Sequence, residues 1–277
     1  MINEPLIINV CLTGNVPTYE DNPHVPLSAA EIIKDAKEVI KTGATFLHLH
    51  ARDKNGKPTY DKKVFSKIIE GIRKINDKVI ICVSTSGRIF RDFDKRTQVL
   101  ELTNGVKPDF ASLTLGSFNF PKEECINSPE TIRLMAQMMK EKNILPEWEI
   151  FEPGMLHYGQ YLTDKGFLDQ PKWINIFLGS LGTSPFTKEA VNLYLSMLKP
   201  NFRFALTGVG RFQYDANLTS LDLGGHVRVG LEDSFFMDKE KKDTATNVRL
   251  VTRIVKAAKD KGRKIADINL TRKLLLS

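Results

Sequence analysis

Residues 27–53 read LSAAEIIKDAKEVIKTGATFLHLHARD and place a helix directly before a strand. Ser28 to Glu31 forms a capping box, apolar residues then recur at helical spacing, and Gly43 ends the helix. The segment that follows is β-branched and apolar, as a buried strand requires. An apolar run over 6–13 supplies an earlier strand. A strand, a helix and a strand in this order predict a right-handed parallel crossover.

The same alternation continues along the chain, and each strand signal is followed by a helical one. The strand signals lie at Leu6–Thr13, Thr45–His50, Val79–Ser84, Asp109–Leu115, Trp148–Glu152, Trp173–Leu178, Phe202–Thr207 and His226–Glu232. This regularity predicts a single (β/α)8 TIM barrel and not an open doubly wound sheet. No linker marks a second domain, so residues 1–277 are expected to form one catalytic domain. The segment after Gly262 is expected to be a short C-terminal extension.

Composition excludes several classes of protein. The chain has 40 Lys+Arg against 33 Asp+Glu, a net charge of +7, and these charges are spread along it without the basic clusters that nucleic acid binding requires. No apolar run approaches the roughly 18 residues of a membrane span, and the N-terminus lacks the order of a signal peptide. A cytoplasmic protein without a membrane partner is therefore expected. The cysteines are three and unclustered, so structural disulfides are not expected, and Cys11 and Cys82 fall inside predicted strands.

The strand at 45–50 ends in two histidines, His48 and His50. Side chains alternate between the two faces of a strand, so both imidazoles lie on one face and converge. Imidazole nitrogen suits zinc and similar metals. Taken alone, the pair fits either a metal site or a hydrogen-bonded pair that lines the core.

Polar residues are concentrated at the carboxyl ends of the predicted strands. They are His48 and His50, Ser84 and Thr85, Ser112 and Thr114, Glu149 and Glu152, Gly208 to Arg211, and Arg228, Glu232 and Asp233. In a TIM barrel, catalytic groups lie at this end of the strands. The set therefore predicts a functional site there.

The last strand signal, GGHVRVGLED, contributes the carboxylates. If it stays extended, Arg228 and Glu232 share one face, and an inward Glu232 completes a His2Glu zinc site with His48 and His50. A salt bridge at the barrel rim is the alternative for Glu232. Asp233 faces away from the site unless the chain turns at that point.

Arg228 requires a partner, because an unpaired charge inside a barrel is very costly. Glu149, Asp233 and a substrate carboxylate are the candidates. His226 lies deeper on the same face and is expected to be a hydrogen-bonded core residue and not a ligand.

The motif set resembles one enzyme family over nearly the whole chain. CLTGNVPT, NPHVPLSAAEI, LHLHARD, ICVSTSGR, FASLTLGSFNF, PEWEIFEPGM, ALTGVGR and GGHVRVGLED occur in the order and spacing of the β-keto acid cleavage enzymes. The resemblance implies a zinc-dependent TIM barrel, a homotetramer, and conversion of a β-keto acid and acetyl-CoA into acetoacetate and a new acyl-CoA.

The resemblance also assigns residues. His48, His50 and Glu232 correspond to the metal ligands, Asp233 to the proposed general base, and Arg228 and Ser84 to further catalytic residues. Residues assigned to substrate binding are Ser112, Thr114, Glu149, Thr85, Gly87 and Arg211.

Two positions depart from the family pattern. The family members that cleave 3-keto-5-aminohexanoate have a glutamate in the first loop, where this chain has Val16. An acidic group there suits a cationic substrate, so its absence favours a neutral or carboxylated β-keto acid. Ser86 replaces a glycine of the loop that Ser84 opens.

The residues themselves and the family resemblance predict the same reaction mechanism. Zinc acts as a Lewis acid on the β-ketone, and Asp233 removes the proton between the ketone and the carboxylate before the thioester is attacked. A zinc class II aldolase or lyase that works without CoA is the alternative, and a metabolite-binding protein without catalysis is the third interpretation.

Overall fold

The structure, a computed structural model, describes residues 4–277, so the predicted domain limits of 1–277 begin outside the described residues. The strands are β1 Ile8–Cys11, β2 Phe46–Leu49, β3 Ile80–Val83, β4 Phe110–Thr114, β5 Phe118–Asn119, β6 Glu124–Cys125, β7 Leu145–Ile150, β8 Trp173–Leu178, β9 Phe204–Gly208 and β10 Val227–Val229. Eight of them form one parallel sheet in the order β10-β1-β2-β3-β4-β7-β8-β9.

The sheet closes between its two ends. Ala205 of β9 and His226, just before β10, form a parallel bridge, and the His226 N–H donates to the carbonyl of Phe204 at 2.7 Å. Helices lie between successive strands around this barrel. The predicted (β/α)8 TIM barrel is therefore confirmed.

The helices begin and end largely where their caps require. They are α1 Ala29–Thr42, α2 Lys62–Ile75, α3 Phe93–Thr97, α4 Pro129–Glu141, α5 Pro153–Asp164, α6 Lys188–Met197, α7 Gln213–Asp222, α8 Asn247–Asp260 and α9 Ile268–Leu276. The capping box of Ser28 and Glu31 is present at α1. Before α9, Leu6 exchanges backbone hydrogen bonds with Lys264 and Ala266, which gives the expected strand-like extension and short helix.

The barrel interior changes from apolar to polar along the barrel axis. At the amino ends of the strands the inward residues are apolar, with Phe46, Phe110 and Trp173 in aromatic contact. Two residues further along β2, the inward position is His48, which is fully buried beside Cys82 of β3. The apolar end stabilises the barrel, and the polar end faces the loops where a site forms.

Most predicted strands differ from the observed ones by one or two residues at their ends, and three larger differences lie near the carboxyl end of the barrel. β7 spans Leu145–Ile150 and not Trp148–Glu152, so Glu152 precedes α5 as its N-cap residue. The small hairpin β5–β6 is not predicted. β10 ends at Val229, whereas the sequence predicts extension to Glu232.

β10 ends just before Gly230, a position where no side chain fits. A Cβ at this position would lie 2.1 Å from the carbonyl oxygen of Cys11. The backbone then turns, and the N–H of Asp233 donates to the Gly230 carbonyl at 3.2 Å.

No helix within residues 4–277 is long and apolar enough to cross a membrane.

Candidate active site

Three side chains from neighbouring parts of the barrel meet at its carboxyl end. His48 lies in β2, His50 follows it, and Glu232 lies in the turn after β10. The Nε2 of His50 is 3.0 Å from Glu232 Oε1 and 3.3 Å from the Nε2 of His48, which is itself 3.9 Å from Glu232 Oε2. One ligand atom from each residue lies within 4.8 Å of the others.

These separations fit a tetrahedral zinc ion, because ligands bound at about 2.0–2.1 Å lie about 3.3 Å apart. Glu232 Oε2 is buried and has no hydrogen-bond partner among residues 4–277, which leaves an acceptor directed at the site. Gly14 makes room for this carboxylate, since a Cβ there would lie 2.7 Å from Glu232 Cγ. The residues present therefore fit the metal that the sequence predicts.

Each imidazole is held through its second nitrogen. His48 Nδ1 lies 2.6 Å from Glu147 Oε2, and His50 Nδ1 lies 2.9 Å from Asn15 Oδ1. Both Nε2 atoms are thereby directed at Glu232. Glu147 and Asn15 are not among the residues predicted from the sequence, although the EWE spacing puts Glu147 on the same face of β7 as Glu149.

Arg228 links the two carboxylates of the turn. Its Nε donates to Asp233 Oδ2 at 3.0 Å, and one terminal nitrogen lies 3.1 Å from Glu232 Oε1. Of the partners considered from sequence, the structure pairs Arg228 with Asp233. The turn at Gly230 is what directs Asp233 inward. Cys11, predicted only to be a buried strand thiol, donates its S–H to the same Oδ2 at 3.0 Å.

Charge and burial oppose each other in this cluster. Burial alone would raise the pKa of Glu232, but the neighbouring His50 and Arg228 together hold that pKa well below its ordinary value. Burial lowers the pKa of the Arg228 guanidinium, yet Asp233 and its neighbours more than offset this and raise it well above the ordinary value. Both groups are therefore ionised at neutral pH.

A cavity of about 530 Å³ opens beside the cluster. Its wall includes His50, Glu232, Asp233 and Arg228, with Ser84, Thr114 and Glu149 of the predicted set. Thr114 donates to Glu149 Oε2 at 2.6 Å. Burial raises the pKa of Glu149 to about 6.

The other predicted substrate residues lie elsewhere in the described chain. The Thr85 N–H donates to Ser112 Oγ at 3.0 Å, so these two residues join the ends of β3 and β4. Gly87 packs against the carbonyl of Ile126, and Arg211 stacks on the ring of Phe212. Their assignment to substrate binding stays a prediction.

A model of the beta-keto acid cleavage enzyme family matches residues 5–276. The chain belongs to the β-keto acid cleavage enzyme family. The resemblance found in the motifs is thus confirmed, and with it the prediction of an enzyme.

Two curated relatives cover this family member almost completely. The 3-keto-5-aminohexanoate cleavage enzyme of Fusobacterium nucleatum subsp. nucleatum is 36% identical over 273 residues, 98% of both chains. The 3-oxoadipate:acetyl-CoA acetyltransferase of Cupriavidus necator is 32% identical over 277 residues, 99% of this chain and 95% of its own. Among solved structures, the binary complex of ObcA with oxaloacetate has a TM-score of 0.78 at 16% identity, over 91% of this chain and 67% of that chain, which supports the fold alone.

In this β-keto acid cleavage family member, part of the cavity wall is aromatic. Phe151 stacks on Phe118 with ring centroids 3.9 Å apart and on Phe177 at 4.3 Å. Val16 completes the apolar surface and is 43% exposed. The site therefore combines a cluster able to hold a cation, an ion-paired carboxylate and an apolar wall, which suits a small carboxylic acid with an apolar portion.

Proposed function

We propose that this chain converts a β-keto acid and acetyl-CoA into acetoacetate and a new acyl-CoA, with a zinc ion held by His48, His50 and Glu232. The observation that carries the proposal is the convergence of these three ligand atoms within 4.8 Å, beside an Arg228–Asp233 ion pair on one cavity wall. Membership of the family and the acetyl-CoA chemistry in the name of the Cupriavidus necator relative support it.

The bound ion would supply a Lewis acid for the β-ketone oxygen. Asp233 is the proposed base, because Arg228 and Cys11 fix its Oδ2 beside the cavity. It takes the proton from the carbon between ketone and carboxylate, and that carbon attacks the acetyl thioester and displaces CoA. The CoA thiolate then adds to the original ketone carbon. The bond between the ketone carbon and the carbon that attacked the thioester breaks, which releases the new acyl-CoA, and Asp233 returns its proton to that carbon to give acetoacetate.

Ser84, Thr114 and Glu149 are proposed to bind the substrate from the polar part of the cavity wall. Val16 and the aromatic wall support a neutral β-keto acid, or one whose carboxylated end extends toward Arg228. Ser112, Thr85, Gly87 and Arg211 would act behind this wall, through the loops that they hold.

The proposed setting is a cytoplasmic homo-oligomer, and a homotetramer by family resemblance. Three free, buried cysteines support a reducing compartment. Large apolar side chains stand exposed on neighbouring outer helices, which supports contact with further copies of the chain. They are Leu134 of α4, Tyr161 of α5 and Leu193 of α6.

The test is a panel of neutral, carboxylated and amino-bearing β-keto acids, each incubated with acetyl-CoA while acetoacetate is measured. Zinc content is determined on the same preparation. The proposal expects acetoacetate only when acetyl-CoA is present, at a rate that follows zinc content. Cleavage of the keto acid without acetyl-CoA would instead support an aldolase or lyase.

A further inference from the structure

Glu147 is a carboxylate sealed inside the barrel beneath the proposed metal site. It is fully buried in β7, and each of its oxygens receives two hydrogen bonds. Oε1 accepts from Asn9 Nδ2 and Asn175 Nδ2, both at 2.8 Å. Oε2 lies 2.6 Å from His48 Nδ1 and accepts from Cys82 Sγ at 3.2 Å. No part of Glu147 lies on the cavity wall formed by the described residues.

This pattern determines which nitrogen of His48 carries its proton. The amide nitrogens of Asn9 and Asn175 are donors only, so Oε1 of Glu147 must be an acceptor. At Oε2, the short contact requires the His48 Nδ1 to be the donor. In the neutral imidazole the Nε2 is then unprotonated, and it faces His50 and Glu232 at 3.3 and 3.9 Å.

We infer that Glu147 is a positioning residue, which fixes the tautomer and ring orientation of His48 so that its Nε2 is presented as a metal ligand. The inference rests on the metal site of the proposed function. Glu147 acts through His48 and does not touch the substrate. A carboxylate in this relation to a ligating histidine changes metal affinity by about 10- to 100-fold.

Glu147 could alternatively be a ligand itself, because a carboxylate oxygen, His48 and Cys82 also lie within 4.8 Å of one another. The hydrogen bonds argue against this role. Both oxygens of Glu147 are already engaged by donors, and the Cys82 thiol donates to one of them.

Glu147→Gln separates the two roles without changing side-chain size. The amide oxygen still accepts from Asn9 and Asn175, but the amide nitrogen now faces His48 Nδ1. The His48 Nδ1 must then become the acceptor. The ring proton moves to Nε2, where it opposes metal binding. The matched control is Glu149→Gln, which removes the same charge two residues along the same face but has its hydrogen bond to Thr114 and not to a histidine.

The experiment titrates zinc into metal-free protein in the absence of substrate. Wild type and Glu149→Gln are expected to bind one zinc ion per chain with similar affinity, and Glu147→Gln to bind it about 10- to 100-fold more weakly. Equal affinity of Glu147→Gln and wild type would overturn the inference. If the wild type bound two zinc ions and Glu147→Gln only one, Glu147 would itself be a ligand, and that result would also overturn the inference.

A spectroscopic measurement on the wild type guards against misfolding of the variant. In metal-free protein labelled with 15N-histidine, the His48 resonances are expected to show a protonated Nδ1, with His48→Gln identifying the signals. Measured at a pH that leaves the ring neutral, a proton on Nε2 of the wild-type ring would overturn the inference. Neither measurement uses turnover, so absence of β-keto acid cleavage would count against the proposed function and not against this role of Glu147.

Discussion

Asp233 and Glu232 are adjacent in sequence but have different surroundings. Glu232 faces the two imidazoles, whereas Asp233 Oδ2 is held by Arg228 and Cys11. This difference is the reason for proposing Glu232 as a metal ligand and Asp233 as a base. It depends on the turn at Gly230, which an extended strand would not provide.

Asp233→Asn is expected to retain bound zinc and to lower kcat by about 10²- to 10⁴-fold, because an amide keeps the shape but cannot take a proton. Zinc content and acetoacetate formation are measured on the same sample, with Glu232→Ala as the comparison that loses both. Full turnover in Asp233→Asn would remove it from the role of base.

A charged side chain at position 16 is expected to change which β-keto acid the enzyme prefers. Val16→Glu places a carboxylate on the cavity wall, where about 1.4 kcal/mol of attraction for a cation corresponds to about tenfold in kcat/KM. The ratio of kcat/KM for an amino-bearing over a neutral β-keto acid is expected to rise by about that factor. Val16→Gln is the neutral control of equal length, and a ratio unchanged from that of Val16→Gln would refute the role of charge at this position.

At the scale of elements, the side chain of Asn247 in α8 ties the turn after β10 to the rest of the barrel. Asn247 is 1% exposed and accepts from the Leu231 N–H at 2.8 Å through Oδ1. Its Nδ2 donates to the Leu12 carbonyl at 2.8 Å and to Asp35 Oδ2 at 2.6 Å. α1, α8, the segment after β1 and the turn that carries Glu232 are therefore joined through one amide.

Asn247→Ala removes these hydrogen bonds from a buried position. The free energy of unfolding is expected to fall by about 1–3 kcal/mol, and zinc affinity to fall with it because the turn is released. Urea unfolding and zinc titration measure the two effects. Asp35→Asn, which keeps an acceptor for Asn247, is the control for zinc affinity, and an Asn247→Ala protein with unchanged zinc affinity would show that the turn is held by other contacts.

Protonation of Asp35, the hydrogen-bond partner of Asn247, makes the free energy of unfolding depend on pH. Burial raises its pKa from 3.8 to about 6 in the folded protein. The folded state therefore binds the proton more tightly, and this stabilisation is complete below about pH 4 and is lost as pH rises through about 6. Asp35→Asn is expected to be more stable than wild type by about 3 kcal/mol at pH 7.5, with little difference at pH 4. Urea unfolding at both pH values measures this, and a gap independent of pH would contradict the assignment.

For the whole molecule, the proposed ion would join β2 to the turn after β10 across β1, close to where the barrel sheet closes. Free zinc at 100 times its Kd is expected to add about 2.7 kcal/mol to the free energy of unfolding and to raise Tm by about 5 °C. Calorimetry with and without zinc measures the shift. Glu232→Ala should show none, and an equal shift in that variant would mean that zinc binds elsewhere.

The sequence predicts the barrel well because its strands and helices are encoded locally, by alternating apolar runs and by caps such as Ser28 with Glu31. The His48–His50 pair is equally local. The turn at Gly230 is not, since it depends on the Cys11 carbonyl on another strand. Glu147 was missed for the same reason, because its partner His48 is 99 residues away and only the barrel brings them together. The single domain over 1–277 stays a prediction.

The central claim is that His48, His50 and Glu232 hold the ion that this chain needs for acetyl-CoA-dependent cleavage of a β-keto acid. The most direct measurement adds zinc stepwise to metal-free protein and follows acetoacetate formation from a keto acid and acetyl-CoA. The rate is expected to rise in proportion to zinc and to level off at one ion per chain. Acetoacetate formed equally fast by the metal-free protein would contradict the claim.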